Sequence, residues 1–341
     1  MLRTPSTEVT AEDSRVTASS RRLGLGEVRR LVSRFAVVIA LIGFSMGYTI
    51  ALPGSFPTVG NVQTMVNSQG VLLILSLALT VPLVAGEFDL SVAAVLGFVG
   101  PLLAALHGVL HWGAPMAIAV TLLACVAIGI FNVILIVVVG VDSFIATLSS
   151  STILAGLTLY VTNGQILTTV PHSLQRFAFL GIPALGVETP ALTGIALAAL
   201  LWYVYEHTPA GRYLYFVGEG REAARLSGLP VDRVRALALI SASLISGVAG
   251  LLLAGQLGGV APSLGPSYLL PAFAGAFLGA TTIRPGRFNA WGTVVAVYML
   301  VVAVTGLELL GMASWVQQVF DGCALAMAVA FARIVGRRDL Q

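Results

Sequence analysis

Charged positions are so sparse along this chain that its organisation is read from where they are missing. No Asp, Glu or Arg occurs in residues 35–86, 90–141, 143–175, 236–283 or 288–307. A helix needs about 20 residues, at ~1.5 Å each, to cross the ~30 Å hydrocarbon layer of a bilayer. The longest runs hold two such lengths, split by turn-forming breaks at Pro53–Gly60 and Gly255–Gly265. The pattern predicts ten helical spans, near 35–53, 69–86, 91–109, 114–139, 144–161, 190–205, 236–255, 266–281, 290–307 and 313–333. The expected fold class is an all-α integral membrane protein with about ten transmembrane helices.

Composition agrees. Apolar types make up 57% of the 341 residues and charged types 10%, with a mean hydropathy of +0.95. Soluble domains run at roughly 45–50% apolar and about 25% charged. Eighteen basic and 15 acidic residues could not coat a soluble globule of this size. A soluble enzyme and a disordered chain are excluded, and a net charge of +3 is too small and scattered for a nucleic-acid footprint. All 18 basic residues are arginine. Without lysine the chain can hold neither a P-loop nor a Schiff base. Cys125 and Cys323 lie in apolar runs without CxxC partners and are expected to be small buried side chains.

Arginine also orients the spans. With ten spans and the N-terminus inside, 17 of the 18 arginines fall inside: seven in the tail, five in 206–235, Arg284 and Arg287, and three at the end. Arg176 alone lies outside. This is the positive-inside pattern, and it predicts cytoplasmic N- and C-termini. The expected organisation is a disordered cytoplasmic tail at 1–34, a polytopic domain at 35–334 with a cytoplasmic loop at 206–235, and a C-terminal tail at 335–341. The first apolar run is a full span, which reads as an uncleaved anchor. The loop 162–189 is the longest external segment and is expected to form a lid or short surface helix.

Three places interrupt the apolar pattern. In Gly86-Glu87-Phe88-Asp89-Leu90-Ser91-Val92, two carboxylates either line a cavity or reach an interface, or belong to a plain turn in which Asp89 caps the next helix. Glu206 to Arg235 is the only internal stretch dense in charge. Within it, residues 221–227 predict a two-turn helix ended by Gly228 and Pro230, either a surface peg or part of a solvated loop. Ala223 and Ala224 would let another backbone come close, while Arg221, Glu222 and Arg225 would offer charge to a partner. Residues 279–289 (GATTIRPGRFN) read as a tight inside turn.

Other apparent motifs carry little. Gly43 to Gly47 fits G-x-S-x-G but lies in a charge-free span, where small-residue helix packing explains it; Gly275 to Gly279 reads likewise. His107 and His111 have i, i+4 spacing but no third ligand, so no metal site is expected. Asn132, Asp142, Glu308 and Asp321 are isolated polar groups in or beside spans and hence pathway candidates.

At these residues the chain resembles the permease subunits of ribose/xylose-type ATP-binding-cassette sugar importers, the second carbohydrate uptake class. Residues 86–92 are similar to the signature GGxDLSVG, with Glu87 at its second glycine. Phe144 to Leu148 is similar to PFIxTL, with Asp142-Ser143 where proline is usual. Gly211 to Gly228 resembles GRxxYAxGGNxxAAxLSG, with Glu219-Gly220 replacing Gly-Asn, and Glu222-Ala223-Ala224 with Gly228 fits the wider EAAxxxG pattern. Gly292-Thr293 and Gly306 to Gln318 resemble a GT…GLxLLGxxxxxQ run.

The resemblance implies a bacterial inner-membrane permease with no catalytic residues and no cofactor of its own, ATP and Mg being held by a partner ATPase. Two permease subunits would enclose one path for a monosaccharide delivered by an external binding protein. The resemblance puts Gly218, Arg221, Glu222, Ala223, Ala224, Arg225 and Gly228 in the ATPase-coupling element. The residues expected along the path are Glu87, Asp89, Ser91, Asn132, Asp142, Phe144 and Thr147. The rival class, an ion-coupled secondary transporter, calls for mid-membrane ionisable groups and an internal repeat; no convincing repeat is present.

Overall fold

A computed structural model describes residues 34–313 and 315–338. The tail expected to be disordered therefore lies outside the described residues up to Arg34. Among those described the chain is helical, with two isolated β-bridges, Leu167 to Val260 and Ile182 to Val187. The first half comprises α1 (Ala36–Ala51), α2 (Val59–Ser68), α3 (Gly70–Val84), α4 (Ser91–Ala104), α5 (Ala114–Val133), α6 (Ser143–Thr162) and α7 (His172–Phe179). The second comprises α8 (Thr189–His207), α9 (Pro209–Glu219), α10 (Arg221–Leu226), α11 (Val231–Leu257), α12 (Leu264–Gly279), α13 (Ala290–Leu309) and α14 (Trp315–Arg338). α4 and α5 each run on into a π-helical turn, Ala105–Val109 and Ile134–Val138.

Each of the ten expected apolar segments is helical. Six helical stretches are long and apolar enough to cross a membrane: Val59–Val84, Ser91–Val109, Ala114–Val138, Ser143–Thr162, Val231–Leu257 and Ala290–Leu309. α1 and α12 are apolar but only 16 residues long. The largest difference from the expected boundaries lies at the second span. Helix resumes at Val59 rather than near 69, because the Thr58 hydroxyl accepts the Asn61 amide at 3.3 Å and caps a new start.

Every residue of α3 is buried, as befits a helix that is apolar all round. Around it the main core draws on α4, α8, α9, α11, α12 and α13. α5 and α6 form an outer wall, with Leu123, Phe131, Leu148 and Tyr160 exposed. Apolar exposure on this scale is what a lipid-facing or partner-facing wall presents. Cys125 is buried as expected. Cys323 is exposed, because it lies on the outward face of α14 rather than in the core.

α11, at 27 residues or ~40 Å, sets the long dimension. Its second turn opens with Arg235, and its far half packs against α7, which holds Arg176. The short helix expected within 162–189 is α7, with Leu174 and Ala178 buried beneath it.

Candidate functional site

The turn between α3 and α4 is forced by local chemistry. Gly86 takes φ +76°, a conformation that glycine adopts without Cβ strain, and the Glu87 amide reaches back to the Pro82 carbonyl at 2.9 Å. Asp89 then turns its Oδ1 onto the start of α4, accepting the Ser91 amide at 2.9 Å and the Ser91 hydroxyl at 2.6 Å. The capping role expected of Asp89 is thus present, although Asp89 is also fully buried.

From Ser91 a polar chain crosses three helices. Asn132 of α5 donates from Nδ2 to Ser91 Oγ at 2.8 Å, and the Ser150 hydroxyl of α6 donates to Asn132 Oδ1. α6 also braces the turn itself. Phe88 N donates to Ser143 Oγ at 3.2 Å, Leu90 N to Thr147 Oγ1 at 3.1 Å, and Ser151 Oγ to the Leu90 carbonyl at 3.0 Å. Among the described residues, Asp89 Oδ2 has no partner. Burial pushes the Asp89 carboxyl up to about 6, against the hydrogen bonds from Ser91 and Val92 that hold it down.

Glu87 points to the other side of the turn. Its Oε1 accepts Arg235 Nε at 2.5 Å and Arg221 Nη2 at 2.8 Å. Glu87 is 1% exposed and the Arg235 side chain 11%, whereas Arg221 is 45% exposed. Arg221 Nη2 also donates to the Gly86 carbonyl at 3.0 Å. Beside this cluster, a Cβ on Gly218 would lie 2.0 Å from the Val84 carbonyl oxygen, so the end of α9 stacks directly on the end of α3.

α10 follows, six residues from Arg221 to Leu226, with Ser227 as its C-cap and Gly228 beyond it at φ +79° in the C′ position. One expectation is corrected. Ala224 does not offer its surface to another chain; it is fully buried in this chain's own core, because that face of α10 packs inward. The exposed face carries Glu222, Ala223, Arg225 and Leu226.

The third break joins the same end of the molecule. Arg287 pairs with Glu219 at 2.6 Å and lies 5.4 Å from the Tyr215 ring centroid, while the Tyr215 hydroxyl donates to the Phe288 carbonyl at 2.6 Å. Arg284 pairs with Glu206. Arg34 donates from Nε to the Ile283 carbonyl at 2.8 Å. Three breaks far apart in sequence therefore form one face, opposite the end that carries α7.

A cavity of about 300 Å³ opens beside the turn, between α4, α6 and α12. Leu90 and Ala93 line it together with Ser151, Thr152 and Thr158. Of the expected path residues, Asp89, Ser91, Asn132 and Thr147 meet in the polar chain, and Glu87 joins the ionic cluster. Asp142 is exposed and caps α6, accepting the Phe144 amide at 3.0 Å, and the Phe144 side chain faces outward. Glu308 and Asp321 lie together in a separate cavity, also of about 300 Å³, against α2 and α14. His107 binds the Trp112 carbonyl through Nδ1 at 2.8 Å, and His111 lies beyond the π turn. Among the described residues no three metal-ligating side chains cluster.

Comparison with known proteins decides the family. The family described as branched-chain amino acid transport system / permease component matches residues 61–330. The chain belongs to this family. Among its relatives is the ribose import permease protein RbsC of Escherichia coli (strain K12), 30% identical over 320 residues, covering 92% of this chain and 97% of the relative. RbsC of Bacillus subtilis (strain 168) is 33% identical over 280 residues, 80% of this chain and 84% of the relative. The xylose transport system permease protein XylH of Escherichia coli (strain K12) is 24% identical over 364 residues, 89% of this chain and 93% of the relative. No solved structure matches. The resemblance to ribose/xylose-type permeases stands on these relatives as well as on the motifs.

Within this permease, sequence reasoning missed two residues. Arg235 reads as one more positive-inside charge, yet it is the buried partner of Glu87. Leu226 is 88% exposed on a helix that also carries two arginines and a glutamate. An apolar residue inside the charge-dense stretch was the available signal.

Proposed function

We propose that the chain is the transmembrane permease subunit of an ATP-binding-cassette importer for a ribose- or xylose-like monosaccharide. In this reading ten spans lie in the bacterial cytoplasmic membrane, with α1, α8, α12 and α14 joining the six stretches that are long and apolar enough to cross it. Both termini face the cytoplasm, a second permease subunit completes the path, and an external binding protein delivers the sugar. A separate ATPase holds ATP and magnesium. The observation that carries the reading is the gathering of residues 86–92, 206–235 and 279–289 on one face, rich in arginine, with α10 presented outward. Positive charge collects on the cytoplasmic side of membrane proteins. Arg176 sits near the opposite end of α11, which supports the same sidedness.

On α10 the exposed Leu226, with Arg225 and Glu222 beside it, forms a knob for an ATPase groove. The cavity at Leu90 and the hydroxyls of Ser151, Thr152 and Thr158 supply the mixed apolar and hydroxyl lining that a sugar requires. The test is solute uptake into sealed vesicles holding this chain with its ATPase and binding protein. Accumulation of ribose or xylose only with hydrolysable ATP is expected. Uptake driven by a proton or sodium gradient without nucleotide overturns the reading in favour of an ion-coupled carrier.

A further inference from the structure

We infer that Glu87 is the ionic latch through which α10 moves the wall of the translocation cavity, a positioning role that rests on the permease reading above. Three observations carry it. First, one carboxylate oxygen takes both Arg221, on the peg, and Arg235, at the root of α11. Second, the two partners differ. Arg235 is almost wholly buried and balances the charge of Glu87, so removing Arg221 leaves no bare buried carboxylate. Arg221 is nearly half exposed and is the member that a moving peg carries with it. Third, the turn that holds Glu87 ends on Leu90, which lines the 300 Å³ cavity and whose backbone is bonded at both ends to Thr147 and Ser151 of α6.

The path of force is short. A displacement of α10 pulls Arg221, which holds both the Glu87 carboxylate and the Gly86 carbonyl. Three residues further on, Leu90 must follow, at most ~10 Å along the chain. The stacking of Gly218 on Val84 removes slack on the same side, since no side chain separates the two backbones. Glu87 stands where the matched signature has glycine, and glycine could not make this link. The latch is therefore a property of this chain's own residues.

The test measures sugar moved per ATP hydrolysed in vesicles of the assembled transporter, for wild type, Arg221→Gln, Arg221→Lys and Glu87→Gln. Arg221→Gln should lower the ratio roughly 5-fold, the factor that a pair worth ~1 kcal/mol gives. Arg221→Lys keeps the charge and should restore most of it. Glu87→Gln should lower the ratio at least as far. Should Glu87→Gln fail to assemble, the two Arg221 variants decide, because Glu87 keeps Arg235 in both. Wild-type ratios in Arg221→Gln overturn the latch, as does simple loss of the ATPase on purification, which would make Arg221 a docking contact. A wild-type control that needs no ATP overturns the permease reading itself, independently of the variants.

Discussion

Asp89 and Glu87 sit two residues apart, both buried, and face opposite demands. Glu87 has two guanidinium partners. Among the described residues, Asp89 has hydroxyl and amide partners on one oxygen and none on the other. A carboxyl held up to about 6 in the folded chain, against an ordinary value of 3.8, favours folding most where it is neutral. Its contribution is complete below the ordinary value and is lost as pH rises through about 6. Asp89→Asn removes this dependence. Melting curves of wild type and Asp89→Asn should therefore diverge between pH 4 and pH 7, with wild type losing ground as pH rises; parallel behaviour would contradict the assigned burial. Asp89→Ala strips the acceptor from the head of α4, a loss of ~0.5–2 kcal/mol. It should lower uptake more than Asp89→Asn, and wild-type uptake in Asp89→Ala at normal membrane levels would count against any role for the cap.

Among the helices, the junction of α9 with α3 tolerates no added side chain at Gly218. Gly218→Ala places a methyl group 2.0 Å from the Val84 carbonyl oxygen, and neither backbone can yield without moving its helix. Overpacking of this kind costs ~1–3 kcal/mol. The variant should show a lowered melting temperature and reduced uptake, and an unchanged melting temperature would contradict the close approach. The long apolar helices were legible in the sequence because a bilayer fixes their length, and the turn at Gly228 because a left-handed residue follows α10. The facing of α10 was not legible. Six residues make less than two turns, so periodicity cannot say whether Ala224 or Leu226 points inward, and tertiary packing chose Ala224. The partners of Glu87 were equally hidden, lying 134 and 148 residues away. The π turns that end at Val109 and Val138 have no signal in the apolar pattern, which continues unchanged through them.

At the scale of the whole molecule, the proposed function turns on which end faces the cytoplasm. In the proposed function, the face built from residues 86–92, 206–235 and 279–289 turns to the cytoplasm and meets the ATPase, and the end holding α7 is external. Arg176 and Leu226 are exposed at these two ends, so a single labelling experiment reads both. Native Cys323 is exposed and is first replaced by serine, whereas Cys125 is buried and can stay. Arg176→Cys and Leu226→Cys are then introduced separately and treated with a membrane-impermeant thiol reagent. In intact cells Arg176→Cys should label and Leu226→Cys should not. After permeabilisation Leu226→Cys should label, and bound ATPase should protect it. Labelling of Leu226→Cys in intact cells, or equal labelling in permeabilised membranes with and without the ATPase, would contradict the account.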